Sequence, residues 1–229
     1  MTSSPGQQVR REAGPLTVKG EARRAALLDA AKVVFEEKGY LDTRVADIVD
    51  EAKVAQGTFY TYFDSKDAIF HEVAGQMHDE MMAALQPDGV PATSVYDRIH
   101  RAMERFVAGY RPHARIIGLV EQAGTFTPEL RALRLKTREA FVARAARGIE
   151  QMQQQGIADP ELDPELTSEV LGAMVEQTCY VWLNLGKEFD EPALLHTLTV
   201  VWARGIGVEL STEDAERERQ ARARPAARA

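Results

Sequence analysis

Hydrophobic and polar positions along this chain alternate with the period of helices. Between residues 21 and 38, Leu27, Leu28, Ala31, Val34 and Phe35 recur on one side of a helix. A shorter pattern of Val45, Ile48, Val49 and Ala52 follows Thr43, which is placed to accept a backbone N–H as N-cap. That pattern stops near Lys53. Val54 then supplies an apolar anchor, and a third helix covers about residues 55–63. Helix, short turn and helix make a helix-turn-helix unit, with the first helix covering its back.

The pattern continues without strand alternation. A helix over about residues 65–85 turns Ile69, Phe70, Val73, Met77 and Met81 inward, and Pro87, Gly89 and Pro91 break it. Helices follow over about 95–110 and 115–123. Thr127 and Pro128 read as N-cap and first position of a long helix that fades at Gly156. The last two helices cover about 165–185 and 191–208. Both are apolar on two sides: Val170, Ala173, Met174, Gln177, Tyr180 and Val181 form one side of the first, and Leu171, Val175, Thr178, Trp182 and Leu185 the other. A helix apolar on two sides is buried on two sides, which means a central position or a partner chain. The expected fold is all-α, about nine helices, with a helix-turn-helix domain over residues 21–66 and a larger helical domain over 67–210.

The third helix has an unusual composition. Its first turn holds Gln56, Gly57 and Thr58. A Gln side chain pairs bidentately with adenine, and a Thr methyl contacts the thymine methyl. Gly57 costs the helix on the order of 1 kcal/mol against Ala, a cost consistent with close approach to another surface. Tyr60 and Tyr62 offer hydroxyls to phosphates, contacts that position without reading sequence. Lys66 follows Ser65, so a cation and helix N-terminal amides could face one phosphate. Phe59 and Phe63 read as core.

In this ensemble the chain resembles the tetracycline-repressor (TetR) family of bacterial transcription regulators. The matching residues are Gly39 and Tyr40, Thr43, Asp47 and Ile48, Gly57 and Thr58, Phe59, Tyr60, Tyr62, Phe63 and Lys66, within about 45 residues. Three positions depart from the family pattern. Arg44 stands where a second Thr or Ser is common, Lys53 replaces the turn glycine, and Ala55 replaces the serine that caps the recognition helix. Either the turn at Lys53 does not need positive φ or Lys53 carries strain. The resemblance implies DNA contact by Thr43, Arg44, Lys53, Ala55, Gln56, Gly57, Thr58, Tyr60, Tyr62 and Lys66.

The resemblance further implies that the last two helices pair with their copies in a four-helix dimer interface. Leu171, Val175, Thr178, Trp182, Leu195, Leu198 and Trp202 are the expected interface residues. A palindromic operator in double-stranded DNA requires such a dimer, with recognition helices about one DNA turn apart. The middle helices are expected to enclose a small-molecule effector. Candidate ligand contacts are Met103, Phe106, Tyr110, Leu119, Phe126, Phe141, Met174, Gln177 and Tyr180, a mostly apolar set with few polar groups.

Charge refines this picture. The formal net charge of −7 argues against generic charge-driven nucleic-acid binding. Arg10, Arg11, Lys19, Arg23 and Arg24 nevertheless form a basic N-terminal region, and residues 1–20 read as a disordered basic arm. Residues 211–229 read as a disordered basic tail. The sequence shows neither a signal-peptide core nor a long apolar run, so a cytoplasmic location without membrane contact is expected. His71 and His78 stand two turns apart, about 10.5 Å, too far to share a metal unaided. No phosphate loop or catalytic motif appears, so neither enzymatic activity, cofactor nor metal is expected. Cys179 reads as packing. The expected function is a ligand-responsive repressor; the alternative is a helical small-molecule binder without operator binding.

Overall fold

In the computed structural model, which describes residues 17–209, the described residues form nine α-helices and a short 3-10 turn. They divide into two units, Met1–Phe70 and His71–Ala229.

The first unit holds α1 (Val18–Lys38), α2 (Val45–Glu51), α3 (Gln56–Tyr62) and the start of α4 (Lys66–Ala84). Thr17 opens α1 by accepting the Gly20 N–H at 3.2 Å. Gly39, at φ 81°, ends it, and its N–H returns to the Phe35 carbonyl. The core is the predicted apolar side of α1 closed by Ile48, Val49, Phe59 and Phe63. Rings reinforce it: Phe35 and Phe70 stand 4.6 Å apart, edge to face, and Tyr40 lies 4.8 Å from Phe70.

The cap of α2 differs from expectation. Arg44, not Thr43, occupies the N-cap, and the Asp47 carboxylate reaches back to the Arg44 N–H at 2.8 Å. Thr43 is buried at 2% exposure, its hydroxyl donating to the Gly39 carbonyl at 2.6 Å. The hydroxyl is drawn inward because the loop after α1 leaves that carbonyl without an intrahelical donor.

The second unit contains the rest of α4, then α5 (Val95–Tyr110), the 3-10 turn (Arg111–His113), α6 (Ala114–Ala123), α7 (Pro128–Gln154), α8 (Pro164–Leu183) and α9 (Glu191–Gly205). Side chains mark the starts of several. Ser94 accepts from the Asp97 N–H, Asp163 from Leu166 and Asp190 from Ala193, at 3.1, 2.8 and 3.0 Å. Pro164 and Pro192 stand in the first turns they favour. Helix α7 packs along α8, and α5 along α9. At the α8–α9 contact Leu171 rests against Gly205, where an added Cβ would come within 2.9 Å.

Candidate functional site

In the first unit, the turn between α2 and α3 brings the predicted contact residues to the surface. Lys53 has φ 54°, in the left-handed region. The turn therefore does need positive φ, and Lys53 carries the strain that glycine would not. Its geometry is fixed by the Val54 N–H, which reaches the Val49 carbonyl at 3.0 Å. Ala55 is the N-cap of α3 and makes no side-chain cap.

Along α3, Gln56, Gly57 and Tyr60 are exposed, Tyr60 at 54%, while Thr58 and Tyr62 are half-buried. Phe59 and Phe63 are core. A Cβ at Gly57 would meet nothing within 4 Å, so the protein's own packing does not call for glycine there. Arg44 and Lys53 are exposed on the same helix pair. Lys38 pairs with Asp47 at 2.6 Å; that contact, with the Arg44 N–H, holds the Asp47 carboxyl below its usual range.

Two predicted contacts point inward instead. Thr43 is buried, as described above. Lys66 donates to the Tyr40 carbonyl at 2.8 Å and the Leu41 carbonyl at 3.3 Å, and its ammonium lies 4.8 Å from the centre of the Tyr40 ring. Its charge is held by carbonyls and a ring face that the loop presents to it. Ser65 caps α4, accepting from the Ala68 N–H at 3.1 Å.

The second unit contains a cavity of about 720 Å³, within the size range of small-molecule sites. Its apolar wall is built from Met77 and Met81 of α4, Leu85 just after it, Met103, Phe106 and Tyr110 of α5, and Phe141 and Val142 of α7. Phe106 and Phe141 meet edge to face at 5.7 Å. Tyr110 is held by the Asn184 side chain, whose carbonyl oxygen accepts from its hydroxyl at 3.1 Å. Asn184 in turn donates to the Ala114 carbonyl at 2.6 Å, and Gly118 leaves room for it: a Cβ there would stand 2.6 Å from Asn184 Nδ2.

Of the predicted ligand contacts, Met103, Phe106, Tyr110 and Phe141 line this cavity. Leu119, Phe126, Met174, Gln177 and Tyr180 are not among its lining residues, and Phe126 is 51% exposed. Val175 and Trp202, predicted for the dimer face, do line it. The face of α8 is the reverse of expectation. Ser168, Leu171, Val175 and Cys179 are buried within this chain, whereas Leu166, Val170, Ala173 and Gln177 are exposed. On α9, Leu195 and Leu198 are likewise buried within the chain and Val201 is exposed. Trp182 carries Arg111 over its ring at 4.9 Å, and the Thr178 hydroxyl donates to the Met174 carbonyl. The physical reason is that both stripes of α8 are apolar, so periodicity alone gives no sign of which meets α7.

Charged groups at the cavity were not read from the sequence. Arg134 pairs with Glu121 at 3.0 Å and Arg138 with Glu176 at 2.6 Å. Burial pushes the Glu121 carboxyl up, partly offset by Arg134. Arg98, Arg105, Arg144 and Arg147 line the cavity as well. The available signal was their helical spacing on α5 and α7 beside apolar positions. Residues 1–16 of the expected arm and the C-terminal tail lie outside the described residues, whereas residues 17–20, expected in the disordered arm, form the N-cap and first turn of α1, which also carries Arg23 and Arg24. No described helix is long and apolar enough to cross a membrane.

Comparison with known proteins covers both units. Residues 27–73 match the family of bacterial regulatory proteins of the tetR family, and residues 99–207 match the C-terminal domain of the transcriptional regulator EthR. The uncharacterized HTH-type transcriptional regulator YdgC of Bacillus subtilis is 31% identical over 185 residues, 77% of this chain and 88% of that protein. EthR of Mycobacterium tuberculosis, an HTH-type transcriptional regulator, is 24% identical over 211 residues, 90% of this chain and 98% of EthR. A solved TetR-family regulator from Syntrophomonas wolfei superposes with a TM-score of 0.67 at 17% identity, covering 84% of this chain and 98% of that one.

Proposed function

The chain belongs to the TetR family of bacterial transcriptional regulators, and from that premise we propose that it is a repressor whose dimer binds a palindromic operator and is released by a small, largely apolar effector. The observation that carries this reading is one chain holding both a helix-turn-helix with a polar, glycine-containing reading face and a separate cavity of effector size. Gln56, Gly57, Thr58, Tyr60 and Tyr62 meet DNA on this reading, flanked by Arg44 and Lys53. Base edges are read from the start of α3, and the hydroxyls and cations fix its register on phosphates.

Two copies pair through the outward sides of α8 and α9. Leu166 and Val170, at 68% and 69% exposure, and Val201 leave an apolar surface there. A stripe of this kind on a helix already packed on its other side is supported as a partner face. The effector occupies the cavity in one of two states of the dimer that differ in the spacing of their recognition helices. Linkage then requires operator and effector to weaken each other by the same factor.

A mobility-shift titration on DNA from the chain's own promoter and its neighbours tests the reading. Salt-dependent binding to a palindromic fragment is expected. A dimer that leaves every such fragment unshifted at low salt would overturn the operator half.

A further inference from the structure

The cavity is polar at two places, and they differ in charge. Helices α5 and α7 cross it antiparallel, since Phe106 meets Phe141 while Arg98 donates to Gln151 at 2.6 Å. On one side of the phenylalanine pair, Arg134 and Arg138 are matched by Glu121 and Glu176. On the other stand Arg105, Arg144 and Arg147. Arg105 and Arg147 make no hydrogen bond or ion pair among the described residues, and Arg144 donates only to the Leu85 carbonyl. The acid lining this side is Asp88, whose carboxylate accepts the Val90 N–H at 3.0 Å.

Three guanidinium groups are thus gathered at an apolar cavity with little countercharge. Burial, and then the neighbouring charges of Arg105 and Arg147, lower the affinity of Arg144 for its proton. Arg105 and Arg144 are half-buried and Arg147 is exposed, and like charges gathered this way favour an incoming anion that bonds to them. A second open group lies in the same wall. The Ser168 hydroxyl is buried, at 1% exposure, and has no hydrogen-bond partner among the described residues.

We propose that the cavity takes an anionic amphiphile, its apolar chain along Met81, Met103, Phe106 and Phe141 and its carboxylate or phosphate head on Arg105, Arg144 and Arg147. The Ser168 hydroxyl is available to an oxygen further along the ligand. The inference rests on the reading of this cavity as the effector site and adds the ligand's charge. Arginine suits either head, because its planar fork matches the oxygens of both.

Dodecanoate, dodecyl phosphate and the uncharged dodecanol, titrated below their micellar concentrations into the full-length protein, test it through tryptophan fluorescence, since Trp202 lines the cavity. At least one anion is expected to bind about tenfold or more tightly than dodecanol, and to weaken as salt rises. The doubly substituted Arg105→Gln, Arg147→Gln protein should lose that preference and keep its dodecanol affinity. Both side chains lack partners, so its melting temperature should be unchanged or higher. The stronger anion identifies the head as carboxylate or phosphate, and either answer supports the inference. Equal binding of dodecanol, no binding of all three probes, or an anion preference that survives both substitutions overturns it. If the substituted protein does not fold, a salt-independent anion affinity in the unsubstituted protein overturns it instead. Operator release is read separately by mobility shift. An anion that binds as described but leaves the operator complex intact supports this inference and overturns the effector reading.

Discussion

The ammonium of Lys66 sits 2.8 Å from the Tyr40 carbonyl oxygen and 4.8 Å from the centre of the same residue's ring, so one cation closes the loop after α1 onto the start of α4. The Tyr40 hydroxyl returns the contact, donating to Asp67 at 2.7 Å. Lys66→Met should therefore act on stability first. Charge-assisted hydrogen bonds of this kind, partly screened, contribute about 1–3 kcal/mol. A lowered melting temperature by circular dichroism is expected. The slope of DNA affinity against salt should stay close to that of the unsubstituted protein, because the ammonium is already engaged. A slope shallower by about 1 would instead place Lys66 on a phosphate.

Lys53 separates stability from binding in the opposite sense. Its left-handed backbone, at φ 54°, costs about 1–2 kcal/mol that glycine avoids. Lys53→Gly should raise the melting temperature while removing an exposed cation from the reading face. DNA binding should weaken across all sequences, with the salt slope reduced by about 1. A competition assay provides the contrast: Gln56→Ala should relax specificity at one base pair, worth about 1–3 kcal/mol, and leave the salt slope alone.

Helix ends were the most legible part of the structure, because a cap is a local event. Ser65 before Lys66 and Thr127 before Pro128 are readable within a single turn. Thr43 was misread because its partner is the Gly39 carbonyl, four residues back, freed only by how the preceding loop runs. The choice between Met174 and Val175 as cavity wall was not legible. It depends on how α8 is rotated against α7, and both of its sides are apolar. Met77 and Met81 were read as inward but not as ligand wall, since only the tertiary packing opens a cavity beside them. The arginines of α5 and α7 were not read at all, although Arg144 and Arg147 border a largely apolar space.

Cys179 tests how tightly α8 is packed. The thiol is buried, and burial, with a smaller push from Glu176, raises its pKa from an ordinary 9.0 to about 12. The reactive thiolate is therefore scarce in the folded protein. Iodoacetamide at pH 8 should label it only as fast as the protein unfolds, so labelling should follow denaturant concentration. The same shift predicts a loss of stability in base. Both folded and unfolded thiols are protonated below pH 9.0, and only the unfolded chain loses its proton between 9.0 and about 12. The contribution is thus intact below that window and declines across it.

Neighbouring residues on α8 distinguish the proposed partner face from the chain's own core. Val170 is 69% exposed, while Leu171 is buried against Gly205 of α9. A carboxylate at Val170 costs a single chain little, because water solvates it, but on the proposed symmetric pairing face it would bury one charge from each copy. Val170→Glu should yield a folded monomer with unchanged helix content by circular dichroism and half the mass by light scattering. Operator binding should fall with it, because each monomer engages only one half-site. Leu171→Ala should instead open a cavity within the chain and destabilise it by about 2–5 kcal/mol while the mass in solution stays that of the dimer. If Leu171→Ala gave the folded monomer and Val170→Glu left the dimer intact, the pairing face would be the inner stripe after all, and α8 would have to turn on α7 in the assembled protein.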